Sequence, residues 1–255
     1  MATTTASKPI VFITGANQGI GYDAARQLAS SGKYHVVIGA RSLSKAEGAI
    51  SKLSQSHDAI DASDLTPVLI DVTDDASITA AAKFISDTFG HIDVLINNAG
   101  ISGLGEPNPG SRENFRLVFE TNVFGLAAVT DAFLPLLRAS KYHDRRIVNV
   151  SSGLGQIGLA YAESEYGARH LPAPVYRSSK AAVNMLSAVY AETLAQDGIL
   201  VVASAPGYTR TNFTRGQGNK DVSEGAGVIV RAATEGDPKK LHGKFLVDEY
   251  AEYGW

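Results

Sequence analysis

The sequence predicts one α/β domain built on a doubly wound, mostly parallel sheet of seven strands with helices on both faces. Three observations lead there. Short apolar runs rich in β-branched residues alternate along the chain with stretches of helical spacing, as in parallel sheets whose strands are joined by helical crossovers. The first run, Ile10-Val-Phe-Ile, breaks into a turn with glycines at 15, 19 and 21 and continues as a helix. A chain of 255 residues with 44% hydrophobic side chains can fill the core of one such domain. Residues 1–8, small and polar, are expected to be a flexible leader, and residues 9–255 the domain.

Taken in order, Ile10 to Ile13 reads as a buried strand, and Tyr22 to Ser31 as a helix with Ala25, Leu28 and Ala29 on one face. The turn between them needs residues without a Cβ, and the helix aims its free N–H groups and positive dipole end above Gly19 and Gly21, where a phosphate would lie. His35 to Ala40 is a second strand, Leu43 to Ser54 a helix, and Pro67 to Ile70 a third strand that stops at Asp71. Ala76 to Phe89 is a helix, with Asp74 or Asp75 as its cap. Val94 starts the fourth strand, and Ile101 to Ser111 is a glycine- and proline-rich loop. Arg112 to Ser140 is mostly helical, Arg146 to Val150 the fifth strand, Val175 to about Gln196 a helix and Leu200 to Ala205 the sixth strand. Val222 to Thr234 is a further helix and Lys244 to Val247 a seventh strand.

Composition narrows the partners. A net charge of −3 and a pI near 6.1 leave no basic footprint for nucleic acid and no polybasic patch for a membrane, so a small molecule is expected. The absence of cysteine excludes disulfides, a catalytic thiol and thiolate zinc, and no metal is expected. The leader has no apolar core of a signal peptide, no stretch reaches the roughly 18 consecutive apolar residues of a membrane span, and a cytoplasmic location is expected.

Six motifs occur in one order over residues 10 to about 211: T-G-x-x-x-G-x-G at the first turn, N-N-A-G at 97–100, E-T-N-V-F-G around Asn122, S-S at 151–152, Y-x-x-x-K at 176–180 and P-G at 206–207. In this set the chain resembles the short-chain dehydrogenase/reductase family, which implies a Rossmann fold and a nicotinamide cofactor. The long stretch 153–174 resembles an insertion of the carbonyl-reductase branch. That insertion would lie over the helices through which relatives assemble, implying a monomer or homodimer.

The resemblance assigns residues. Gly15, Asn17, Gln18, Gly19, Ile20 and Gly21 would cradle the pyrophosphate, Asp71 and Val72 the adenine, Asn98, Ala99 and Gly100 the ribose side, and Pro206, Gly207, Thr209 and Thr211 the nicotinamide end. Arg41, with no acid at 38–42, favours the 2′-phosphate of NADP(H), NAD(H) being the alternative. Read alone, Arg41 is equally a loop cation. Asn122, Ser152, Tyr176 and Lys180 would be catalytic, Tyr176 and Lys180 also touching the cofactor. Ser151 is the alternative to Ser152, and by itself Asn122 reads as well as a satisfied core amide. Asn97 is expected to be structural.

Tyr176 and Lys180, four apart, share a helix face. A lysine about 4 Å from the phenol would bring its pKa near 7, making Tyr176 a general acid/base, with Ser152 holding the carbonyl oxygen and Asn122 a water on the way to Lys180. The implied reaction is reversible, NADPH-dependent reduction of a ketone or aldehyde. Leu104, Leu154, Tyr208 and Phe213 would form a pocket for a lipophilic or aromatic substrate, under a lid at about 207–221. A non-catalytic NADP(H) sensor and an NAD-dependent alcohol dehydrogenase are the competing readings.

Overall fold

The structure, a computed structural model, describes residues 8–56, 59–247 and 252–255. Expectations for residues 1–7 of the leader, for 57–58 and for the tail at 248–251 lie outside them. Lys8 is tied to the domain by an ion pair with Asp64 at 2.5 Å.

Seven parallel strands form the sheet: β1 (Ile10–Ile13), β2 (His35–Ala40), β3 (Leu65–Leu69), β4 (Val94–Asn97), β5 (Arg146–Val150), β6 (Leu200–Ser204) and β7 (Phe245–Leu246). Their spatial order is 3-2-1-4-5-6-7, and a short antiparallel strand, β8 (Glu252–Tyr253), pairs with β7. The sequence reading left that last strand unassigned. The third strand starts two residues earlier than expected, and Pro67 lies inside it; a residue without an N–H is tolerated because β3 is an edge.

Side chains alternate between two cores, as period-two strands require. On one face Val11, Ile13, Val36, Ile38, Val94 and Ile96 pack against α1 (Gly19–Ser30), α2 (Leu43–Ser56) and α8 (Val222–Thr234). On the other, Phe12, Val37, Leu95, Ile147 and Val201 meet α3 (Asp75–Phe89), α5 (Gly125–Ala139) and α7 (Pro174–Leu194). Phe12 stacks on Phe133 of α5, ring centroids 4.7 Å apart. Asp74 caps α3 by accepting the N–H of Ala76 at 3.0 Å. Short helices α6 (Ile157–Ala160) and α9 (Pro238–Leu241) lie in connections.

Two expectations change. Helix α1 begins at Gly19, not Tyr22, so Gly19 and Gly21 belong to its first turn. Helix α4 (Arg112–Phe119), a π turn at Glu120–Phe124 and α5 run together as 28 residues long and apolar enough, by composition, to cross a membrane. Here that helix is a layer of the domain: Val129, Phe133 and Leu137 are buried against the sheet.

Candidate active site

The order in which strands are added to the sheet reverses between the parallel neighbours β1 and β4, and the loops after these strands meet at their carboxyl ends, where open parallel sheets bind ligands. Thr14 joins the two loops. Its hydroxyl accepts the N–H groups of Asn98 at 3.0 Å and Ala99 at 3.1 Å, a role the sequence reading did not give it. The Asn98 amide donates to Thr14 O at 2.9 Å and Gly15 O at 3.1 Å, so this side chain braces the turn. Gly21 is required by the same packing: a Cβ there would lie 2.3 Å from Asn98 Nδ2.

The turn fits a pyrophosphate. Gly15 and Gly19 have positive φ (65° and 60°). Gln18, the N-cap of α1, makes no side-chain cap, and no acid occupies the first turn, so the positive helix end is left for an anion. A Cβ on Gly19 would come within 3.9 Å of Thr211, which places the P-G segment opposite the turn. Asn17 and Ile20 are half-buried beside it, and Arg41 is exposed just past the end of β2. Asp71 uses one carboxylate oxygen to hold Thr73, and Val72 packs its carbonyl under Gly125. Pro206 is buried and Gly207 exposed, but Thr209 is fully buried, its hydroxyl donating to Pro206 O at 3.2 Å. Of the two threonines named from the sequence, only Thr211 faces the cleft.

Beyond the turn lie the side chains expected to be catalytic. Tyr176 is half-buried on the first turn of α7, and the Ser152 hydroxyl, which accepts the Leu154 N–H at 3.2 Å, is near enough to its phenol to favour the phenolate. Ser151 points the other way, into α7, donating to Asn184 Oδ1 at 2.5 Å. Lys180 is 6% exposed; its ammonium donates to Val150 O at 2.8 Å and lies 5.8 Å from the Tyr176 ring centroid. Burial pushes the Tyr176 phenol up to about 12, against the opposing pull of the Ser152 hydroxyl, and burial pulls Lys180 down to about 8. The expected value near 7 for Tyr176 is therefore corrected: desolvation outweighs what favours the phenolate.

Asn122 sits in the π turn, a helix irregularity found often at functional sites. Its amide donates to Ile101 O at 2.9 Å and Ser179 Oγ at 3.0 Å, and its Oδ1 accepts the Ile101 N–H at 2.8 Å. The side chain clamps the loop after Gly100 to α7. A Cβ on Gly100 would meet Asn122 Oδ1 at 3.3 Å and Lys180 Nζ at 3.7 Å. Asn97 is structural, donating to Thr130 and Asn149 in the interior.

A cavity of about 250 Å³ opens beside Tyr176 between the loop 101–111 and the end of the insertion. Leu104 lines it, as expected; Leu154 and Tyr208 do not. The walls come instead from Pro109, Gly110 and Asn114 on one side and Pro172 to Val175 on the other. Proline and glycine at 109–110 and 172–174 were the available signal. The expected lid is folded down over the site: Phe213 packs on Tyr176, centroids 5.7 Å apart, and Arg215 donates to Leu104 O at 3.3 Å.

Known proteins share this architecture. The family model described as short chain dehydrogenase matches residues 9–221. Short-chain dehydrogenase anuI of Penicillium roqueforti is 59% identical over all of both chains. Carbonyl reductase (NADPH) 1 of Mus musculus is 27% identical over 97% of this chain and 99% of its own. The structure of NADPH-bound carbonyl reductase from chicken fatty liver superposes with a TM-score of 0.82 at 29% identity, covering 97% of this chain and 99% of that one.

Proposed function

The chain belongs to the short-chain dehydrogenases, and from that premise we propose that it reduces a ketone or aldehyde to an alcohol with NADPH, Tyr176 supplying the proton. The observation that carries this reading is the placing of the buried Lys180 ammonium 5.8 Å from the Tyr176 ring centroid, bonded to Val150 O at the end of β5, where Ser152 follows. Bound in the cleft, the nicotinamide supplies a hydride to one face of a carbonyl. The chain does the rest.

Ser152 holds the carbonyl oxygen and stabilises the charge that grows on it. Tyr176, with a pKa about 12, is fully protonated at neutral pH and hands its proton to that oxygen, which suits reduction better than oxidation. Lys180, charged below pH about 8, offsets the phenolate left behind. Gly15, Gly19, the open end of α1 and Thr211 hold the pyrophosphate, and exposed Arg41 meets a 2′-phosphate. The mostly apolar cavity and Phe213 suit a lipophilic or aromatic substrate. We read a monomer or homodimer, since exposed Phe124, Met185 and Val189 offer a second copy an apolar surface; a tetramer mass by light scattering would overturn that part.

The deciding experiment compares initial rates of NADPH and NADH oxidation with an aryl α-keto ester for the native protein and Tyr176→Phe. A fast NADPH rate, slow NADH use and loss of at least a hundredfold in the variant are expected. Preference for NADH would remove Arg41 from the reading, and binding of NADPH without turnover over a wide substrate panel would favour a sensor.

A further inference from the structure

Arg177 follows Tyr176 and has no part in the chemistry above. Its side chain points the other way and is buried, at 7% exposure. All of its described side-chain hydrogen bonds go to backbone carbonyls: Nε donates to Leu171 O at 3.0 Å, Nη1 to Leu154 O at 3.5 Å and Nη2 to Tyr166 O. A guanidinium keeps its charge even where burial lowers its pKa, as here, so it needs such acceptors wherever it is enclosed.

The three carbonyls come from three separate points of the insertion, which has no enclosed apolar core of its own. Among residues 153–173 only Gly155, Gly167 and Ala173 are buried, so no side chain larger than a methyl group is fully enclosed there. Ile157 and Tyr161 face outward, at 73% and 85% exposure, and Leu154, Leu159, Tyr166 and Leu171 are only half-buried. Hydrophobic packing is therefore thin. Polar contacts at single points, Gln156 to Gly254 O at 2.6 Å and Asn219 to the Tyr166 hydroxyl at 3.5 Å, help to hold it, as does close backbone approach, with a Cβ on Gly155 falling 2.6 Å from the Lys180 backbone. Among the described contacts the Arg177 fork alone joins three points at once. The segment then returns to α7 through Pro172 and Ala173, the latter in left-handed backbone (φ 34°), and these residues form one wall of the cavity beside Tyr176.

We propose that Arg177 is a positioning residue that sets substrate specificity: by gathering the carbonyls of Leu154, Tyr166 and Leu171 it fixes the insertion as a wall of the pocket. Substrate does not touch it. A fork with several fixed donors can reach three carbonyls at once, whereas a lysine ammonium acts as a single point. The specificity claim rests on the reading that Tyr176 acts on a carbonyl; the structural claim does not.

The test uses Arg177→Lys and Arg177→Gln in the full chain, with two independent readouts. The first is hydrogen exchange at the amides of Ala168, His170 and Leu171, which bond within the insertion at 3.0, 3.1 and 3.0 Å. Exchange at least tenfold faster in both variants is expected, with no change at Val148 or Val202 in the sheet. The second is kinetic: KM for a bulky aryl ketone rises at least tenfold with kcat within threefold, while kcat/KM for a small aliphatic aldehyde and NADPH affinity stay within twofold. Unchanged exchange in the insertion overturns the proposal, as does native behaviour of Arg177→Lys. Equal losses for both substrates together with weakened NADPH binding also overturn it, because Arg177 would then support the whole fold. If the native protein reduces neither compound, the reaction reading fails while the exchange arm still decides whether Arg177 holds the wall.

Discussion

The Lys180 ammonium donates to the carbonyl oxygen of Val150 at 2.8 Å, so the end of β5 carries a buried cation 5.8 Å from the Tyr176 ring centroid. Its pKa, about 8, sets a pH dependence for reduction. As pH rises through about 8 the ammonium is lost and kcat/KM should fall, while Tyr176, at about 12, stays protonated and adds no second break below pH 10. A pH–rate profile checks this, and a flat line from pH 7 to 9.5 would sink it.

The same burial makes Lys180 a cost to the fold. Its folded pKa lies below the ordinary 10.5, so the penalty for enclosing the charge is fully present below pH 8 and is relieved as pH rises toward 10.5. The shift corresponds to about 3 kcal/mol, offset by about 1 kcal/mol from the bond to Val150. Lys180→Met should therefore be more stable by about 1–2 kcal/mol at pH 7 and inactive, read by urea unfolding; a less stable variant contradicts this account.

The brace between the first and fourth strand loops should show as coupling. Gly21→Ala drives a methyl into Asn98 and toward Gly15 O, 2.8 Å away, costing about 2–3 kcal/mol. Asn98→Ala should cost about 1–2 kcal/mol by removing two hydrogen bonds. In the double variant the losses should sum to less than their total, since the amide clash is gone; strict additivity in denaturation curves would refute the contact.

Arg41 is exposed and makes no described ion pair, so Arg41→Ala should leave the melting temperature within about 1 °C. NADPH affinity should drop about tenfold and NADH affinity stay constant, by fluorescence titration. Equal effects on both cofactors would assign Arg41 to something other than the 2′-phosphate.

Strand and helix order was legible because it is written in periodicity, and the glycine turn because only a missing Cβ satisfies Gly15 and Gly19 at positive φ. Tyr176 and Lys180 were legible as an i, i+4 pair, and the serine pair 151–152 as following a strand, with the choice of Ser152 resting on the family resemblance. Partnerships across the chain were not. Nothing local says that Asn98 turns back to Thr14, that Thr209 faces α8 or that the Asn122 amide binds Ile101, because each depends on which loop arrives opposite. The Tyr176 pKa failed for a related reason: spacing fixes which residues share a face, while desolvation depends on everything packed around them.

Both margins of the sheet end in ways that resist further growth. At β3 the missing N–H of Pro67 breaks the run of donors a neighbouring strand would need, and at the other margin β8 is an edge of only two residues. A second chain approaching either flank meets a gap or a ladder too short to extend, so contacts between molecules are steered away from strand exchange and toward side-chain surfaces, where association stays reversible.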